Sequence, residues 1–165
     1  MPDPVTTQRT VHVEHIKIES SKPFAEVKAA LEGSVPQFDP GILELLQRGE
    51  TERARRDLER LPALSILGSR DHGALLRITG QSWQALQYDI GNPLTATGMT
   101  QHQLSAALYA PLRVLLYENE AGHATFEYDR PSSLFGQFGD ERITAVAREL
   151  DPSLEGVLVK AAGLN

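Results

Sequence analysis

Residues 111–118 (PLRVLLYE) form a nearly continuous apolar run, and residues 123–129 (HATFEYD) alternate. Between them lie only Asn119, Glu120, Ala121 and Gly122. Continuous apolar sequence suits a central strand, and alternation suits a strand with one wet face. Parallel neighbours need a crossover of about a dozen residues or more, so strands joined this tightly must return antiparallel. This hairpin and the short connections favour a largely antiparallel or mixed sheet. Symmetric closure of the turn predicts Glu118 opposite His123 and Arg113 opposite Tyr128. Arg113, Leu115, Tyr117, Ala124, Phe126 and Tyr128 would then share one face.

Further strands are expected on either side in the sequence. Residues 11–19 (VHVEHIKIE) are rich in β-branched side chains, but Val11 and Val13 are out of phase with Ile16 and Ile18. A bulge near His15 would reconcile them. Residues 63–69 (ALSILGS) are a short apolar run, and residues 74–78 continue or cap the same sheet. Residues 84–90 alternate Leu86, Tyr88 and Ile90 against Ala85, Gln87 and Asp89, and Gly91-Asn92-Pro93 stops them.

Helices are signalled by caps and stripes. Ser20, Ser21 and Pro23 precede a stripe of Phe24, Val27 and Leu31, which ends at Gly33 and Pro36. Asp39-Pro40 opens a helix with Ile42, Leu45 and Leu46 inward, and a second covers residues 50–60. A loop and a short helix near residues 101–108 follow, with Thr100 as a cap. Asp140 opens the last helical segment, where Ile143, Ala147, Leu150, Leu154 and Leu158 keep a helical phase. Pro152 predicts a kink or two abutting helices there. The reading is α+β: a mixed, largely antiparallel sheet with helices packed on one face. Residues 1–10 are expected to be a mobile arm, and residues 11–165 a single domain with a helical insertion at about 39–61.

Composition excludes several classes of function. With 165 residues the chain can bury roughly 70% of its unfolded surface and needs no staples. It contains no cysteine, which rules out disulfides, thiolate nucleophiles and cysteine-held metals and suits a reducing, cytoplasmic setting. A net charge of -6 argues against nucleic acid as a partner. The five arginines of residues 48–60 are interleaved with acids, the pattern of a solvated helix face. No apolar run has the ~20 residues needed to span a bilayer, so no membrane partner is expected.

No phosphate-binding loop, dinucleotide fingerprint, zinc helix or nucleophile elbow is present. The histidines, at 12, 15, 72, 102 and 123, show no metal-binding spacing, and no metal is expected. Asp71 beside His72 admits two readings: an oriented acid–base histidine, or a turn in which Asp71 caps local amides. Asn92 at a strand end presents its amide to a ligand or simply makes a turn. Arg113, inside an apolar strand, needs a counter-charge: a ligand anion, or Glu127, or the ring of Tyr128. Residues 131–140 (PSSLFGQFGD) read as a mobile lid or, preferably, as a connection that packs Phe135 and Phe138.

His72, Gly91-Asn92-Pro93, Pro111-Leu112 with a basic residue at Arg113, and Tyr128 followed by Pro131 occur in an order that resembles a bacterial and archaeal family. This family is the domain of unknown function 302 (DUF302). The resemblance covers roughly residues 70–134, and more weakly residues 11–31. It implies a compact α+β sandwich, often dimeric. Residues 39–61 are longer than the family pattern, and residues 94–100 depart from its wording.

Together these readings predict a small-ligand or cofactor-binding domain with an anionic-ligand site on the sheet, made by His72, Tyr88, Asn92, Arg113 and Tyr128. The cofactor is not specified by any motif. Two alternatives remain: an enzyme with His72 as acid or base, and a homodimeric structural or regulatory module that binds no ligand.

Overall fold

A computed structural model describes Met1 and residues Asp3–Asn165. The elements run β1 (His15–Pro23), α1 (Phe24–Ser34), α2 (Gly41–Gln47), α3 (Thr51–Glu59), β2 (Ser65–Asp71), α4 (His72–Leu76), β3 (Ala85–Gly91), α5 (Pro93–Thr100), β4 (Leu112–Glu118), β5 (His123–Asp129), α6 (Pro131–Phe135) and α7 (Glu141–Ala161). The five strands form one open sheet in the order β1-β5-β4-β3-β2, antiparallel at every junction. One parallel bridge, Gln37 to Ile66, is attached to its β2 side. The expected α+β class holds.

The long helices α1 and α7 cover one face, and the short α4 lies at the margin of the other. Ile18, Ile66, Tyr88, Ile90, Val114, Leu116, Phe126 and Tyr128 are buried on the sheet, and Val27 and Leu31 of α1 and Ile143, Ala147, Leu154 and Leu158 of α7 are buried with them. Each strand sends alternate residues to this core. α2 and α3 form a small cluster of their own from Ile42, Leu45, Ala54 and Leu58. Exposed ion pairs Arg48–Glu44, Arg53–Glu50 and Arg60–Asp57 account for the mixed charges there. Among the described residues, no helix is long and apolar enough to cross a membrane.

Several expectations are corrected. The hairpin is shifted by one residue: Glu118 faces Ala124 and Val114 faces Tyr128. The cause is the turn, where Asn119 N–H donates to the His123 carbonyl at 2.8 Å and Asn119 Oδ1 accepts from Ala121 and His123. Asn119 and His123 thus close the loop, and a slip of one residue moves every side chain to the other face. β1 begins at His15, so Val11 and Val13 lie outside it. Its irregularity falls between Glu19 and Pro23 rather than near His15.

Residues 94–100, read as loop, belong to α5, and a 3-10 turn at Leu104–Tyr109 replaces the expected helix. Residues 74–78 are helical, in α4 and the 3-10 turn Arg77–Thr79, and do not extend the sheet. Pro152 sits inside α7, which is assigned as one helix of 21 residues. Phe135 is fully buried and Phe138 packs on the core, as the packing reading of residues 131–140 requires.

Candidate functional site

The uncovered face of the sheet carries His15, Gln87, Asp89, Arg113, Leu115, Tyr117, Glu127 and Asp129. These residues follow from alternation against the buried positions. Arg113 projects here from β4 and is exposed. No ion pair or side-chain hydrogen bond joins it to another described residue. The predicted partners, Glu127 and Tyr128, are both engaged elsewhere. Glu127 Oε1 accepts from the Tyr117 hydroxyl at 2.7 Å and its Oε2 contacts His15 Nε2 at 2.7 Å. Tyr128 lies on the opposite face.

His72 reaches the same face through α4. Asp71 caps that helix by accepting from the Ala74 N–H at 2.9 Å. The backbone of Gly73 lies against Trp83 and Ala85, and a Cβ at Gly73 would overlap the Trp83 carbonyl oxygen. This contact lays His72 over β3, where its Nε2 meets Gln87 Oε1 at 3.1 Å. The partner of His72 is therefore Gln87. Asp71 is committed to the cap, so the pairing of adjacent Asp71 and His72 as acid and base is not formed. Gln87 Oε1 can only accept, so His72 donates to it from Nε2. The Gln87 amide retains its own N–H donors.

His72, Gln87 and Arg113 line one groove together with His15, Leu115, Glu127 and Asp129. Gln87 and Arg113 also border a second depression with Arg70, Asp89, Tyr109 and Pro111. In that depression Arg70 is neutralised by Asp89, with contacts of 2.9 and 3.0 Å. Asp89 is also the cross-strand neighbour of Arg113, but its carboxylate is held by Arg70, and Arg113 forms no ion pair with a described residue.

His15, weighed in the sequence only as a metal ligand, is part of the groove. Its Nδ1 meets Asp129 at 2.9 Å and its Nε2 meets Glu127. The hydrogen bond to Asp129 first, then that to Glu127, raises the imidazole pKa above its ordinary 6.5. The Tyr117 hydroxyl and His15 together hold the Glu127 carboxyl below its ordinary value. Among the described residues no group of three or more acidic or histidine side chains is arranged to hold a metal ion.

Three predicted site residues do not join the groove with their side chains. Tyr88 is 1% exposed, beneath α1, and donates its hydroxyl hydrogen to Glu32 at 2.8 Å. Burial, then this carboxylate, pushes its pKa far up. Tyr128 borders the groove along its strand, but its ring is buried on the covered face, and burial pushes the hydroxyl up to about 12. Asn92 is the cap of α5. Its Oδ1 accepts from Leu94 and Thr95, and its Nδ2 donates to the Pro62 carbonyl. The structure thus joins His72 to Arg113 and adds Gln87 and His15. Gln87 was readable from the β3 alternation, which sets it opposite in phase to buried Tyr88. The role of His15 depends on the β1–β5 register, a pairing between distant segments.

The family model for "Domain of unknown function DUF302" matches residues 49–161. This includes α3 and every element from β2 to α7. A solved structure, that of an uncharacterized conserved DUF302 protein from Bacillus stearothermophilus, is similar in fold with a TM-score of 0.65 at 17% sequence identity. The similarity covers 89% of this chain and 97% of that one. No curated protein matches the chain.

Proposed function

The chain belongs to the DUF302 family, and we propose that it binds a small, singly charged anion on the uncovered face of its sheet. The observation that carries this reading is Arg113: an exposed guanidinium beside Gln87, in a groove with His72, with no carboxylate of its own. A guanidinium offers paired donors that match a carboxylate or phosphate, and the Gln87 amide adds another donor. His72 Nδ1 would accept from a ligand hydroxyl or amine. Glu127 and Asp129 flank the groove and disfavour a second negative charge on the ligand. Leu115 and Ala85 supply the apolar floor. The cysteine-free composition fits a cytoplasmic setting for such a protein.

The test is a thermal-shift and calorimetric screen of small monocarboxylates and phosphodiesters, each carrying one negative charge, against the wild type and Arg113→Ala. The reading requires at least one compound whose binding weakens tenfold or more in the variant. Equal binding to both proteins by every hit would end it.

A second reading rests on the bareness of the same face. A sheet covered on one side only leaves a surface for a second copy, and a homodimer would seal the groove. Light scattering at several concentrations separates the two. A dimer that dissociates when Leu115→Asp is introduced favours this reading; a wild-type monomer removes it.

A further inference from the structure

The opposite, helix-covered side of the sheet holds a second concavity. Where the end of β3 and the start of β4 meet α5 and α7, a cavity of about 200 Å³ opens. Its walls are hydrocarbon from Leu67, Met99, Leu112, Phe135 and Leu150, contributed by separate elements of the fold. Met99 is 2% exposed and Phe135 is fully buried, so they form the floor. Leu43 of α2, 43% exposed, stands at the rim.

The chemistry of this cavity differs from that of the Arg113 groove. No charged side chain lines it. The start of α5 adjoins it, and free amides there would attract an anion. Those of Leu94 and Thr95 are already satisfied by Asn92 Oδ1, and the Asn92 amide is held by Pro62. Thr95 offers one hydroxyl. A bound water is best held by two to four polar partners, and the lining is predominantly apolar. Close-packed interiors leave few voids larger than a water molecule, and an apolar cavity of about 150 Å³ suffices to bind benzene.

We propose that this cavity is a binding site for a small, uncharged, apolar molecule of the size of a substituted benzene. Contact with Met99, Leu112 and Phe135 holds it, and the Thr95 hydroxyl accommodates at most one polar substituent. The site is independent of Arg113 and of any anion bound there.

The chain has two methionines, Met1 and Met99, so methyl-labelled methionine gives one reporter in the cavity and one control at the terminus. Toluene titrated into the full chain should produce a saturable shift at the Met99 methyl and none at Met1. Ala96→Leu, which fills the cavity, should weaken that response at least tenfold. Ala110→Val, on another wall, serves if the first variant does not fold. Absence of a saturable Met99 shift up to the solubility of toluene would overturn the proposal. So would an equal shift at Met1, or unchanged affinity in a folded filled variant.

Discussion

Tyr88 reaches from the centre of β3 to Glu32 on α1, its hydroxyl 2.8 Å from Oε1, and fastens the first helix to the sheet. Burial alone would raise the Glu32 pKa, but Lys28 at 2.7 Å and Tyr88 outweigh it and hold the carboxyl below its ordinary value. Removing the hydroxyl in Tyr88→Phe keeps the packed ring and deletes one hydrogen bond to a half-buried carboxylate. The expected cost is about 1–2 kcal/mol in chemical denaturation. Tyr88→Ala also empties a core position and should cost about 3–5 kcal/mol. In Tyr88→Phe, anion binding at the Arg113 groove should be unchanged.

Arg113 makes no ion pair or side-chain hydrogen bond with another described residue. Arg113→Gln should therefore move the melting temperature by no more than about 2 °C. A large drop, measured by calorimetry, would mean that the guanidinium has a structural partner and would remove the argument for a ligand.

The His15 cluster predicts a pH dependence. The imidazole pKa is raised, so its stabilising contribution is complete below the ordinary 6.5 and is lost as pH rises through the raised value. The Glu127 pKa is lowered, so its contribution is complete above the ordinary 4.5 and is lost as pH falls through the lowered value. The pair is thus strongest between pH 4.5 and 6.5. His15 is largely exposed, so the effect is at most about 1 kcal/mol. Denaturation curves for the wild type and His15→Gln should diverge in that window and converge above it. Titration of the His15 ring by NMR should give a midpoint above 6.5.

Gly73 sets the position of His72. A methyl group at Gly73 meets the Trp83 carbonyl oxygen and the Ala85 amide, both of them backbone. Neither can swing aside as a side chain would. Gly73→Ala should destabilise by about 1–3 kcal/mol, as overpacking does, and should pull His72 away from Gln87. Loss of the His72–Gln87 contact can be read from the ring resonances.

Asn92 is a helix cap. Asn92→Ala should cost about 0.5–2 kcal/mol through the loss of the α5 cap. Asn92→Asp keeps the capping oxygen but loses the donor to Pro62, and should cost less. If the first substitution instead abolished anion binding with stability intact, the assignment of Asn92 as structural would fail.

Much of this architecture is legible in local patterns. β3 and β5 follow their alternation, α7 follows its stripe from Ile143 to Leu158, and α3 follows its apolar pair Ala54 and Leu58. α5 was hidden because threonines and Gly98 have low helix propensity and make no apolar stripe. Its one signal was the Asn92-Pro93 start. The faces of the hairpin were misassigned because the Asn119 side chain sets the turn, and apolar runs do not encode that choice. The candidate site was legible in part. The β3 alternation already grouped Tyr88 with buried Ile90 and set Gln87 apart, whereas the meeting of His15 with Glu127 and Asp129 depends on the pairing of strands more than a hundred residues apart.

The outermost strands β1 and β2 bear on solubility. The unpaired backbone groups on the outer side of β1, and those of β2 beyond Ile66, which already bonds to residues 36–38, are a template for extension by another chain, the route to aggregation. β1 carries Lys17 and Glu19, paired at 2.9 Å, and ends at Pro23; β2 carries Arg70 and Asp71 and a register shift between Ile66 and Gly68. Charge and irregularity at both margins, with a proline at the end of β1, penalise end-on growth into fibres.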